Sequence, residues 1–277
     1  MSGNRAGMGR VFSNTLVWGY ALLVLGPMSW VLSNAFKFQI DILTGKLFAR
    51  FTWRNFEQLM FSRQSDFLMN LLNSAIVAGT STVIVIVVAS MAAFTLTRLQ
   101  VPGWVRWGVL GWALLFQMLP TLTFVSSWYM MFKAVGLHGS YFAVIITHVV
   151  FNLPMALFLM MTFISALPQE LIQAARMDGC SYGTIFWRIV MPLVRGGIIA
   201  TSALMFIFSW SDFAISLNLT STETMTAPVA IATYAQEYEI RYGEMAAGAA
   251  MSMLPALALI LLGQRFVVRG LLAGAVK

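Results

Sequence analysis

The chain has 277 residues, of which 59% are hydrophobic and only 10% charged, with a formal net charge of +7. A mean hydropathy of +0.80 excludes a soluble globular domain. The single cysteine, Cys180, excludes an intrachain disulfide and any cysteine-based metal cluster.

No Asp, Glu, Lys or Arg occurs in 11–36, 67–97, 107–132, 134–169, 196–211 or 245–264. A bilayer core requires about 20 apolar residues in helical form. Five of these runs reach that length, and the run at 196–211 continues apolar past Asp212 to Leu219. The expected fold is therefore an all-α integral membrane bundle in a single domain, with six transmembrane helices near 14–36, 67–97, 107–132, 141–165, 197–218 and 245–265. Nothing alternates in the segments of roughly ten residues that a membrane barrel requires. The first apolar run is longer than the 7–15 residues of a signal-peptide core and no A-x-A site follows it, so it is read as a retained anchor.

The loop at 37–66 contains Phe51-Thr52-Trp53-Arg54-Asn55-Phe56, expected at headgroup level as an aromatic anchor. Small residues recur at Ala75-x-x-x-Gly79 in the second span, and at Ala246-x-x-x-Ala250 and Gly248-x-x-x-Ser252 in the sixth. That spacing permits close helix approach in lipid. The loop at 219–244 is acidic, and Thr224-Met225-Thr226-Ala227-Pro228 is expected to be its exposed tip.

Lys and Arg placement sets the expected orientation. With the N-terminus inside, the inner segments hold Arg5, Arg10, Arg98, Arg106, Arg176, Arg188, Arg195, Arg265, Arg269 and Lys277 against only Glu170 and Asp178. The outer side holds seven bases and seven acids. Both termini are thus expected in the cytoplasm, and the basic balance reports topology rather than nucleic-acid binding.

Between the fourth and fifth spans, 166–195 is polar. Pro168 suits a first helical turn, where its missing N–H is not needed, and Glu170 suits the positive end of the helix dipole. Leu171, Ala174, Ala175 and Asp178 are spaced along one helical face. Gly179 is expected to end that helix in the left-handed region, and Ser181 to cap a second helix. Ile185, Phe186, Ile189 and Val190 give the second helix an apolar stripe, and Pro192 is expected to break it. An amphipathic hairpin resting on headgroups would share some of these features, but it needs neither the Ala-Ala pair nor the Asp-Gly turn.

This segment resembles the EAA loop of permease subunits in binding-protein-dependent ABC importers, matching at Ala174, Ala175, Asp178, Gly179, Ser181, Phe186, Ile189 and Pro192. It departs from the pattern at Gln173, where the family usually has Glu, at Cys180 for Ala, and at Met191 for Leu. The Asp-Gly-x-Ser form is similar to the carbohydrate branch, in particular its shorter six-helix maltose/trehalose-type permease. Asn70-Leu71-Leu72-Asn73-Ser74, Asn152-Leu153-Pro154, Ser209-Trp210-Ser211-Asp212-Phe213 and the 264–277 segment agree with it. The resemblance implies a type I importer bundle in a bacterial or archaeal cytoplasmic membrane. It also implies a coupling hairpin in which Glu170, Gln173 and the matching residues dock on a cytoplasmic ABC ATPase dimer. A second permease subunit and an external solute-binding protein complete the implied assembly. ATP and Mg would be bound by the partner ATPase, with no cofactor in this chain.

No P-loop is present: after Gly45-Lys46 the next residue is Leu47, where Ser or Thr is required. His138 and His148 lack neighbouring ligands at metal-binding spacing. Asp212 lies within a span, where an acid must face the bundle interior or a hydrated cavity. Asn152, Trp210, Asp212 and Phe213 are candidate solute-path residues, with Trp210 offering a flat face to a sugar ring. Asp212 could equally cap or pin neighbouring helices. An alternative reading is an ion-coupled secondary transporter working through Asp212 and His148, although the internal repeats common in such proteins are not evident.

Overall fold

Long charge-free runs leave a backbone in lipid no hydrogen-bonding partner but itself, and a helix satisfies its interior groups within one segment. The computed structural model describes the backbone of residues 3–63, 65–235 and 240–275, and the side chains of 14–63, 65–235 and 240–261. The counted charges at Arg5, Arg10, Glu237, Glu239, Arg265, Arg269 and Lys277, and the side chains of 264–277, lie outside the described residues. Among the described residues the chain is helical, with two isolated bridges and no strand.

The first half comprises α1 (Gly3–Ala35), α2 (Gln39–Leu43), α3 (Arg54–Phe61), α4 (Phe67–Arg98), α5 (Gly103–Met118), α6 (Thr121–Ala134) and α7 (Tyr141–Ser165). After it come α8 (Gln169–Met177), α9 (Tyr182–Ile185), a π-helical turn at Phe186–Val190, α10 (Met191–Leu193), α11 (Arg195–Trp210), α12 (Ala214–Leu219), α13 (Ala227–Thr233) and α14 (Tyr242–Ala275). Helices α1, α4, α7 and α14 are each long and apolar enough to cross a bilayer, and two bent pairs raise the number to six if each is one span.

The predicted third span, 107–132, is such a pair: α5 and α6 meet at 99°. Leu119 is extended (φ −86°, ψ 133°) and precedes Pro120, whose ring disfavours a helical residue before it and which has no N–H to continue the ladder. The predicted fifth span, 197–218, is divided as well, ending as α11 at Trp210 and resuming as α12 at Ala214.

The contacts divide the chain into two units, one of Met1–Leu68 with Ile231–Met251, the other of Met69–Ala230 with Ser252–Lys277. In the first, Phe36 stacks on Phe51 at 5.0 Å and meets Trp53 edge-on at 5.1 Å. The buried Asn55 amide donates to the carbonyls of Ala35 and Lys37, both at 2.9 Å, so the residues expected as an aromatic anchor are tied to the end of α1. Gly248 lets α14 approach Phe67 and Ile231 closely, at 3.2 and 3.0 Å from where a Cβ would stand.

In the second unit a continuous apolar core joins α4, α7, the 168–195 hairpin and α11. Gly197 of α11 lies directly over the Phe163 ring of α7, and a Cβ there would overlap the ring, whereas Gly196 has open space. Gly197→Ala is therefore expected to lower the melting temperature of the purified chain in detergent, at an overpacking cost of about 1–3 kcal/mol. Gly196→Ala should leave it unchanged or raise it, and equal melting temperatures for the two variants would refute the close approach. Residues 224–227, expected as an exposed tip, are instead largely buried. Asn73 donates to the carbonyls of Glu223 and Met225, both at 2.9 Å, and accepts from Tyr141 at 2.6 Å, while Ser74 accepts from the Ala227 N–H. An Asn buried in an apolar helix needs such partners, and the loop backbone supplies them.

Candidate functional site

Two features of the second unit carry chemistry. The first is the hairpin. Pro168 stands one residue before α8 as its N-cap, and Glu170 lies in the first turn. At the other end Cys180 N–H donates to Ala175 and Gly179 N–H to Arg176, both at 3.0 Å, with Gly179 at φ +81°. That pair of bonds is a Schellman ending, which requires a left-handed residue after the cap and selects glycine for it. Ser181 Oγ accepts from the Thr184 N–H at 3.2 Å and caps α9. Arg176 spans the turn, donating to the Cys180 carbonyl at 2.8 Å and lying 4.4 Å over the Tyr182 ring.

The face read along α8, Leu171, Ala174, Ala175 and Asp178, is only partly turned inward, with Leu171 half-buried. Ile172 and Ala175 are buried, while Ala174 and Asp178 are exposed. Together with Ile185, Phe186 and Val190 they join the core of α4 and α7, with Phe186 5.4 Å from Phe94. Burying side chains of this size stabilises by about 1.5–3 kcal/mol each. The Ala pair is thus split: Ala175 allows α8 to seat on the bundle, and Ala174 belongs to the outer stripe of Glu170, Gln173 and Met177, the last 88% exposed. Ile189 is half-buried and Pro192 is exposed. Pro192 does not break the helix as expected. The π-helical turn at Phe186–Val190 precedes it, the helix continues through Leu193, and the chain bends by 78° at Val194. Arg98, at the end of α4, donates from Nη2 to the carbonyls of Ile164 and Leu167 at 2.5 Å each, satisfying the C-terminal end of α7 where the hairpin begins.

The second feature is a cavity of about 490 Å³ where the two broken spans face α7. Non-helical backbone at membrane depth is tolerated where it lines such a cavity or is buried in protein, and both the Leu119 and the Ser211–Phe213 breaks contribute to this wall. Of the sequence candidates, Asn152, Asp212 and Phe213 line it. Trp210 is not among the lining residues: it is buried, stacks on Phe206 at 5.5 Å, and donates from its indole nitrogen to the Ser252 carbonyl at 3.0 Å. Asp212 Oδ2 accepts from the N–H groups of Ile215 and Ser216 at 3.1 Å each and from Ser216 Oγ at 3.4 Å, and so caps α12. Asn152 donates to Ser209 Oγ at 3.0 Å, which in turn accepts from Ser81 Oγ at 3.1 Å.

Sequence reasoning did not place His148 among the solute-path residues and paired it with Asp212 only in the ion-coupled alternative. It lines the cavity, with Nε2 3.9 Å from Asp212 Oδ2. Its spacing from Asn152, four residues on, was the available signal, since i and i+4 share a helical face. Among the described residues no group of His, Cys, Asp and Glu could hold a metal ion.

Residues 85–272 match the model of the family described as binding-protein-dependent transport system inner membrane component. The chain is 35% identical over 268 residues to the trehalose transport system permease protein of Mycobacterium tuberculosis, covering 95% of each chain. It is 28% identical over 260 residues to the trehalose/maltose transport system permease protein of Thermococcus litoralis, covering 93% of each. Among solved structures it superposes on a chain of a bacterial ABC transporter involved in the import of the acidic polysaccharide alginate with a TM-score of 0.77, at 17% identity, covering 96% of this chain and 98% of that one. The last likeness establishes the fold.

Proposed function

The chain belongs to the family of binding-protein-dependent transport system inner membrane components, and from that premise we propose that it is the permease subunit of an ATP-driven importer for a sugar or related polyol. The substrate class rests on the relatives, which are permeases of trehalose and trehalose/maltose systems. The ion-coupled alternative is set aside, because nothing in those relatives or in the fold speaks for it. In this reading the chain hydrolyses no ATP. A cytoplasmic ABC ATPase dimer binds ATP and Mg, a second permease subunit shares the path, and an external binding protein delivers the solute. Both termini face the cytoplasm.

The observation that carries the proposal is the two-sidedness of the hairpin. Its inner face, Ile172, Ala175, Ile185 and Phe186, is part of the same core as α4 and α7, so force applied to it reaches the helices. Its outer stripe, Glu170, Gln173, Ala174 and Met177, is exposed. The turn residues Asp178, Gly179 and Ser181 hold the two helices in fixed relation, and Ile189 and Pro192 lead into the bend at Val194 before α11. Gln173 lies exposed on that stripe and is uncharged where the family pattern has Glu. Asn152, Asp212 and Phe213 form part of the solute path, with Trp210 supporting α11 from behind.

The partner-dependent reading is tested on the purified chain. Alone, it is expected to bind no nucleotide above background in equilibrium dialysis with labelled ATP. Reconstituted with the ATPase, the second permease and the binding protein, it should support trehalose-stimulated ATP hydrolysis. Saturable ATP binding by the isolated chain would overturn the proposal.

A further inference from the structure

His148 is 2% exposed, and its Nε2 has no hydrogen-bond partner. A buried polar nitrogen without a partner is destabilising by about 1–3 kcal/mol, so its retention points to a partner that comes and goes. The nearest group is the Asp212 carboxylate at 3.9 Å, beyond hydrogen-bonding reach but close enough for one oxygen atom to bridge the two. None of the three hydrogen bonds to Asp212 goes to Oδ1; all are taken by Oδ2. The α12 cap therefore immobilises the carboxylate through Oδ2, the oxygen nearer His148, and leaves Oδ1 without any of these three bonds. Asn152 uses its amide nitrogen on Ser209, so its side-chain oxygen is a second acceptor.

Phe116, Phe151, Phe208 and Phe213 line the cavity around these groups together with the polar Gln117, Thr121 and Ser211, and among the described residues no Lys or Arg lines it. An anionic solute would meet a carboxylate with no counter-charge. A neutral polyhydroxylated ring would find flat apolar faces and acceptors for its hydroxyl hydrogens, the combination that small-molecule sites use for orientation.

We propose that His148 and Asp212 together form a hydroxyl-selecting contact for a neutral sugar or polyol on its way through this chain. The solute hydroxyl donates to the Asp212 carboxylate and accepts from His148 in the tautomer that carries its proton on Nε2. Asn152 accepts from a neighbouring hydroxyl. This inference rests on the importer reading above and adds to it a selective role for this chain in recognising the solute, beyond that of the binding protein.

The test uses the complete reconstituted complex in proteoliposomes, with trehalose, maltose and the monodeoxytrehaloses as solutes and the same binding protein throughout. His148→Leu is expected to lower trehalose uptake at least tenfold while the complex still co-purifies. It should also erase the wild-type discrimination against one particular monodeoxytrehalose, the one lacking the hydroxyl that His148 and Asp212 hold. His148→Gln, whose amide N–H reaches a similar position, should retain at least a third of wild-type uptake and that discrimination. If His148→Leu does not assemble, His148→Asn serves in its place, since it keeps a polar side chain but lacks the reach of Nε2.

An equal fall in uptake for every solute, or no fall at all, would overturn the assignment to His148 and leave the importer reading intact. A wild-type complex that accumulates no sugar or polyol that its binding protein delivers would overturn the sugar reading and this inference with it.

Discussion

Gly179→Val is expected to abolish transport and substrate-stimulated ATP hydrolysis in the reconstituted complex, while membrane levels of the chain stay normal. Gly179 has φ +81° and nothing within 4 Å of where its Cβ would stand. The penalty is therefore one of backbone conformation rather than crowding. For a β-branched residue, left-handed geometry is a genuine outlier, destabilising by about 1–3 kcal/mol. The relief available is to abandon the Schellman bonds from Gly179 to Arg176 and from Cys180 to Ala175. That would free α8 to rotate relative to α9 and displace Glu170, Gln173, Ala174 and Met177 from the register a rigid partner requires. The apolar runs themselves are unchanged, so insertion should be unaffected. Gly179→Asn, which tolerates the left-handed region better than other side chains, should retain most of the stimulated hydrolysis. Full stimulation in the Val variant would refute the coupling role of the turn.

Substitution of Asp212 should have the second largest effect, and two variants separate its roles. Asp212→Ala removes both the α12 cap and the open carboxylate oxygen. Lost capping destabilises by about 1 kcal/mol, and a lost hydrogen bond between the charged group and the solute weakens transport by about tenfold or more. Asp212→Asn retains a capping oxygen for the Ile215 and Ser216 N–H groups but presents an N–H donor to the cavity in place of an acceptor. It should melt like the wild type yet show a changed order of preference among the accepted solutes and their deoxy analogues. If instead Asp212→Asn matches the wild type in preference and only Asp212→Ala reduces uptake, equally for every solute, then Asp212 serves α12 alone.

The hairpin was legible from the sequence because its signals are local. An αL glycine, a Ser cap and an acid at a helix start each follow from the geometry of the residue itself and its near neighbours, and Gly179, Ser181 and Glu170 stand where that reasoning puts them. Family membership followed from the same residues. Of the face read along α8, Leu171, Ala174, Ala175 and Asp178, Ala175 is buried and Leu171 half-buried, while Ile172 is buried in place of Ala174 and Asp178, because a nine-residue helix has too few turns to define its own apolar face. Pro192 was read as a breaker because its missing N–H is a local fact. Its accommodation after a π-helical turn depends on how Phe186 and Val190 pack into the core.

Charge-free runs mark the stretches apolar enough to enter the bilayer, because an ionised group facing lipid is costly to desolvate. Where those stretches break was not read from the sequence, in which 107–132 and 197–218 stood as single spans, although Pro120 carries a local signal for the break between α5 and α6. What only the tertiary structure decided is that both breaks face one cavity on α7, that Asn152 and His148 share its wall, and that Trp210 turns away to Phe206 and Ser252. Those placements depend on helix rotation and crossing. Both are set by the packing of small and large side chains between helices, such as Gly197 on Phe163, and a single apolar helix carries no periodic signal that distinguishes its lipid face from its protein face.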